Sequence, residues 1–172
     1  RAREEPAGHD DDGTAGGTGT TGSPTLVGVI SPDVVTLVST GATYTFSDRN
    51  AGTGKLVHVA GLTLSGTSAV NYALTQPDRS ANISARPLGI TAVTDSREYD
   101  GTDHSSGLPA LTSGTIQPGD VAPVWTQTFA DKHAGAGKSL VPAGVVVDGN
   151  GGANYSYTFL HNTTGVITPR AV

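Results

Sequence analysis

The 172-residue chain contains no cysteine and no methionine, and aromatic residues make up only 5% of it. The missing cysteine excludes disulfides and thiolate metal sites, leaving packing and hydrogen bonding to hold the fold. Zero cysteine also fits bacterial extracellular proteins that fold without an oxidising catalyst. Positive charge is scarce: ten Lys and Arg stand against fifteen Asp and Glu, a formal net charge of −5, with no basic cluster. Nucleic acid is therefore not an expected partner, because phosphate neutralisation requires a basic face. No apolar run approaches the ~20 residues that span a bilayer as a helix, and no signal peptide is visible. The chain opens on Arg1 rather than Met, as a processed product or an excised fragment would.

What is abundant is glycine, with 24 residues, and proline, with 10. They punctuate a chain that repeats itself. Phe46-Ser-Asp-Arg-Asn-Ala-Gly-Thr-Gly-Lys55 returns as Phe129-Ala-Asp-Lys-His-Ala-Gly-Ala-Gly-Lys138, 83 positions later. Asn71-Tyr72 returns as Asn154-Tyr155 at the same offset, and Ile83-Ser-Ala-Arg86 as Ile167-Thr-Pro-Arg170 at 84. Upstream, Ile30-Ser-Pro-Asp33-Val34 matches Ile116-Gln-Pro-Gly-Asp120-Val121 with one residue added, and Asp12-Gly13-Thr14 matches Asp100-Gly101-Thr102 at 88. Landmarks in order at a near-constant offset define a tandem repeat. The expected division is an N-terminal extension over 1–9, a degenerate first copy over 10–88 and a second over 89–172.

The repeat disposes of one tempting motif. Gly135-Ala-Gly-Lys138-Ser139 resembles the end of a phosphate-cradling loop, but Lys132 stands where the first glycine of such a loop belongs. In the other copy Leu56 stands where the metal-binding hydroxyl belongs. A turn between two strands is the expected reading, with Gly54 and Gly137 supplying positive φ.

No segment keeps a 3.6-residue apolar period, whereas period-2 alternation is widespread. Ala42, Tyr44 and Phe46 share one face, as do Val70, Tyr72 and Leu74, and Ala153, Tyr155, Tyr157 and Phe159. Val121, Trp125 and Phe129 share the parity of a buried face, which argues against the single Trp as a sugar-stacking platform. Short strands separated by Gly, Asn, Asp, Pro and Ser clusters predict an all-β protein of two small antiparallel Ig-like sandwiches in an elongated tandem, or alternatively two β-grasp-like repeats. Ile83–Val93 is expected to run from the last strand of one copy into the first of the next.

At "REYDGTDHSSGL", "GD-V", "F-DK-AG-GK", "G-NY" and the closing "ITPRAV", the sequence resembles the YDG-type repeats of large bacterial exoproteins, among them filamentous-haemagglutinin-like, two-partner-secreted surface and biofilm-matrix adhesins. The repeat-defining positions are Tyr99, Asp100, Gly101, Phe129, Gly135, Gly137 and Tyr155 in copy two, and Phe46, Gly52, Gly54 and Tyr72 in copy one. Copy one departs at its start, where Asp11 stands in place of the tyrosine. The resemblance implies a non-catalytic structural or adhesive module, secreted and displayed on a bacterial surface. Its expected partners are neighbouring repeats, copies of itself, or a host or matrix glycan or protein.

Chemical alternatives are thin. The five histidines form no metal-ligating spacing and read as scattered surface residues. Asp10, Asp11 and Asp12 offer hard oxygen ligands for calcium, but without the alternating spacing of a known loop, so no cofactor is expected. Each copy supplies a Lys, an Asn and an Asp (Lys55, Asn71 and Asp48; Lys138, Asn154 and Asp131), the set from which an isopeptide crosslink forms. The plain reading leaves both lysines at the surface. The segment "GTAGGTGTTGSP", Gly13–Pro24, raises a second function: a self-assembling filament subunit joined by strand addition to a neighbour's sheet edge.

Overall fold

A computed structural model describes residues 25–172 in full and, of the first 24, only the backbone of three two-residue strands. The contacts divide the chain into two units, Arg1–Ser84 and Ala85–Val172, so the boundary lies four residues before the expected one.

Unit 1 contains β1 (Glu5–Pro6), β2 (His9–Asp10), β3 (Thr20–Thr21), β4 (Thr36–Val38), β5 (Thr43–Phe46), β6 (Gly52–Ala60), β7 (Thr63–Ser65) and β8 (Asp78–Ser84). A four-stranded sheet runs β2-β8-β6-β5, while β4 pairs with β7 and β1 with β3. The Thr-Tyr-Thr-Phe sequence of β5 shows why it is a strand: Phe46 turns inward, 4% exposed, while Thr43 and Thr45 face solvent. Phe46 joins Val57, Ala81 and Ile83 in one core cluster, and a second, small cluster holds only Val59 and Leu62 as buried members.

Unit 2 contains β9 (Arg86–Thr91), β10 (Ser96–Glu98), β11 (Ala110–Ser113), β12 (Thr126–Phe129), β13 (Gly135–Ala143), β14 (Tyr155–Leu160) and β15 (Asn162–Thr168). Its four-stranded sheet, β10-β15-β13-β12, repeats that of unit 1. Arg97 lies opposite Ile167 as His9 lies opposite Ile83, both in parallel pairs. The core of this sheet repeats too, with Phe129, Leu140 and Ile167 in the places of Phe46, Val57 and Ile83. A three-stranded sheet, β11-β9-β14, supports a larger cluster of Leu88, Ile90, Trp125, Val146 and Tyr155. Burying each such side chain contributes roughly 1.5–3 kcal/mol.

The chain is all-β as expected, and no α-helix occurs among the described residues. The sheets, however, are mixed: β2 with β8, β10 with β15 and β9 with β14 are parallel pairs. Alternation reveals which face a residue takes, not which strand it pairs with or in which direction. Two local expectations are corrected. Val70 sits in a 3₁₀ turn over Ala69–Asn71, 91% exposed. Val121 is 61% exposed and forms only an isolated bridge with Val147, so the inward face of its segment is Trp125, Gln127 and Phe129.

Candidate functional site

The landmarks shared by the two copies become two recurring clamps. In the first, Lys55 donates to Asp48 Oδ1, and Lys138 donates to Asp131 Oδ1, across the turn between paired strands. The same oxygens accept the backbone N–H of Asn50 and of His133, each at 2.9 Å. The lysine ammonium, then the backbone N–H, holds each carboxyl below its ordinary range. Gly54 and Gly137 do take positive φ, +64° and +69°, but inside β6 and β13, where the pairing register shifts at a bulge, and not in the turn itself. Gly52 and Gly135 open β6 and β13, so the glycine-rich stretch enters a strand and not a helix.

The second clamp joins distant segments. Tyr72 donates its hydroxyl to Asp33 Oδ2 at 2.7 Å and accepts the Ile30 N–H at 3.0 Å. Tyr155 donates to Asp120 Oδ2 at 2.6 Å and accepts the Gln117 N–H at 2.9 Å. The aspartates matched in the repeat are therefore the partners of the tyrosines matched in it.

In unit 2, Tyr99-Asp100-Gly101 forms the turn after β10. Tyr99 packs on the Phe129 cluster, and Gly101 takes φ +86°. Asp100 Oδ1 accepts from the Thr102 N–H and hydroxyl, both at 2.8 Å, and pairs with Arg97. Those contacts, the Thr102 N–H foremost, hold its carboxyl far below the usual value. Arg97 in turn lies over the Phe129 ring, 5.3 Å from its centre. The counterpart in copy one, Asp11 and Asp12, lies outside the described residues, as do the side chain of Asp10 and all of Gly13–Pro24 except the backbone of β3. Among the described residues no cluster of three His, Asp or Glu forms a metal site.

The Lys, Asn and Asp of each copy do not converge. Each lysine meets its aspartate, but Asn71 is exposed in the 3₁₀ turn. Asn154 is fully buried, its amide oxygen accepting from Asn150 Nδ2 at 2.9 Å. The reason is Asp148, which organises the preceding turn. Only 4% exposed, its carboxylate accepts the N–H groups of Asn150, Gly152 and Asn154 at 2.7–2.9 Å. Burial pushes this carboxyl up, but the N–H groups of Gly152, Asn150 and Asn154 together hold it below its ordinary value. Gln127, 2% exposed, was not anticipated. Its amide accepts from the Val93 N–H and donates to the Val93 carbonyl, both at 2.9 Å, which stitches the break between β9 and β10. A polar residue at inward parity between Trp125 and Phe129 was the available signal. Trp125 itself is buried, edge-on to Tyr157 with ring centres 6.4 Å apart. His58, His104, His133 and His161 are exposed.

Unit 1 carries a shallow, open groove of about 390 Å³, lined by Thr63, Leu64, Ala69, Val70, Tyr72 and Leu74. In unit 2 the position of Leu74 is taken by Tyr157, whose hydroxyl accepts from Val146 N and donates to Gly152 O, filling the equivalent place.

Comparison with protein families matches a YDG domain twice, over residues 11–81 and 84–164. The chain belongs to the YDG domain family. The two matches fall on the two units, and the second YDG domain starts, as its contacts do, with the segment that forms β9. Both clamps lie within the matched residues of both YDG domains. Comparisons with curated proteins and with solved structures gave no match.

Proposed function

We propose that the chain is a non-catalytic structural or adhesive module of an extracellular bacterial surface or matrix protein, of the filamentous-haemagglutinin-like kind. The observation that carries this reading is what the duplication keeps. Both copies retain the Asp–Lys turn clamp, the Tyr–Asp clamp and the Phe-centred sheet core. These are framework devices, each stabilising its own repeat, as in proteins whose repeats supply length and spacing. One residue, Ala85, separates β8 from β9, so one repeat passes directly to the next.

Pulling single chains from both ends tests the structural half. Two separate unfolding steps are expected, each releasing about 300 Å of extended chain. A single step releasing the whole length would contradict independent modules. For the adhesive half, beads coated with the chain should resist flow over a glycan or matrix-protein surface better than beads coated with an inert protein. Equal release on every surface would remove adhesion and leave a spacer.

A further inference from the structure

In unit 2, β9 is the middle strand of its sheet. It runs antiparallel to β11, with Leu111 opposite Ile90, and parallel to β14, from Tyr155 opposite Arg86 to Leu160 opposite Thr91. Leu88 and Ile90, 1% and 0% exposed, form the centre of the larger cluster. Unit 1 possesses the flanks of such a strand. Tyr72–Pro77 is the counterpart of β14, keeping its inward residues at Tyr72 and Leu74. Residues 25–27 are the counterpart of 111–113 in β11, since Gly28 and Gly114, which follow them, occupy matching places with φ of +94° and +80°. Among the described residues, no strand of unit 1 corresponds to β9 between these flanks. Among the described residues, 73–77 pairs with no strand, and Tyr72 and Leu74 line the open groove.

We propose that this groove and the bare edge beside it form a strand-acceptor site. Its occupant is the segment that runs on from the last strand of another YDG repeat, with an Arg-x-Leu-x-Ile pattern. Two features of the chain identify that occupant. The same kind of slot in unit 2 is filled by Arg86-Pro-Leu-Gly-Ile-Thr91, which runs on from β8 after a single residue. The same pattern recurs in sequence after β15, where Thr168-Pro-Arg170-Ala-Val172 matches Ser84-Ala-Arg86-Pro-Leu88. The end of the first repeat thus runs on into a strand that the sheets of unit 1 do not use. Main-chain hydrogen bonds to the bare edge would supply affinity, and the two apolar side chains entering the groove would supply specificity. The inference does not depend on whether the module is adhesive.

The test extends the full chain at its N-terminus by a second copy of Ala85–Thr91 on a short flexible linker. The tether holds the added strand at millimolar effective concentration, so weak binding is still read. Amide exchange at Ala73, Leu74 and Thr75 should slow at least tenfold, with exchange in β14 unchanged. The same extension with its two apolar positions (the copies of Leu88 and Ile90) changed to Asp should give no slowing. Leu74→Asp in the extended chain should abolish the effect while Trp125 fluorescence stays native. Unchanged exchange at 73–75 with the intact extension would overturn the proposal. So would equal slowing with the Asp-bearing extension, or slowing confined to β14.

Discussion

The two units hold the same four-stranded sheet but not the same second layer. In unit 2 the strand β9 brings Leu88 and Ile90 against Trp125, Val146 and Tyr155, with Leu111, Ile116, Tyr157 and Phe159 around them. In unit 1, among the described residues, the corresponding cluster buries Val59 and Leu62 alone. Ala42 stands where Trp125 stands, Leu74 where Tyr157 does, and Ser65 where Asp148 does. The difference teaches that the landmark residues of the repeat maintain one sheet and its clamps, whereas the second layer of unit 2 is built on a strand at the junction between the repeats. A repeat unit by sequence is therefore offset from a repeat unit by packing.

This contrast can be broken at several points. The largest effect is expected from Ile90→Ala, which empties a fully buried site under the second layer of unit 2. A loss of about 3 kcal/mol is expected, read as a lower denaturation midpoint of Trp125 fluorescence. Asp148→Ala should cost a similar amount, about 3 kcal/mol, because three N–H groups, two of them buried, lose their acceptor. Ser65→Ala, at the exposed counterpart in unit 1, should stay within about 0.5 kcal/mol.

Acid should separate the units as well. In unit 2 the buried Asp148 and the part-buried Asp95 have carboxyls held below 3.8: burial opposes the shift in both, and hydrogen bonds outweigh it. A depressed folded-state pKa contributes stability that is complete above the unfolded value of 3.8 and is lost as pH falls through the folded value. Titration below pH ~4 should thus lower the Trp125-reported midpoint of unit 2. Asp148→Asn should flatten that dependence. A flat profile in the parent chain would contradict the assignment.

The tyrosine clamps should differ by less. Tyr155→Phe is expected to cost about 1.5 kcal/mol and Tyr72→Phe about 0.5 kcal/mol, because the former is buried and the latter half-buried. Equal costs, measured by amide exchange in each unit, would mean the second layers are equally formed. The smallest effect is expected for Lys55→Ala and Lys138→Ala, whose carboxylate partners are about half exposed. Neither should move a midpoint beyond error in moderate salt.

Much of this architecture was legible because the chain carries its own comparison. The offsets matched Asp33 with Asp120 and Tyr72 with Tyr155, and these are the residues that bond to one another across 39 and 35 positions. Phe46 and Phe129 were readable from alternation, and both sit in cores. Strand pairing was not readable. The parallel partnership of β9 and β14 joins residues about 70 positions apart, and nothing local encodes it. Val70, Tyr72 and Leu74 alternate like a strand, yet no strand forms there without a described partner. Asp148 was hidden for another reason: its role is to satisfy the backbone of a glycine-rich turn, and short turn chemistry leaves no periodic trace.

The most direct test of the unequal second layer is residue-resolved amide exchange in the unextended native chain, comparing Ala73–Thr75 with Ser156–Thr158. Slow exchange in β14 beside fast exchange at 73–75 is the predicted result. Equal protection of both segments would contradict the account, because it would mean that unit 1 already holds a paired strand where the described structure leaves an open edge.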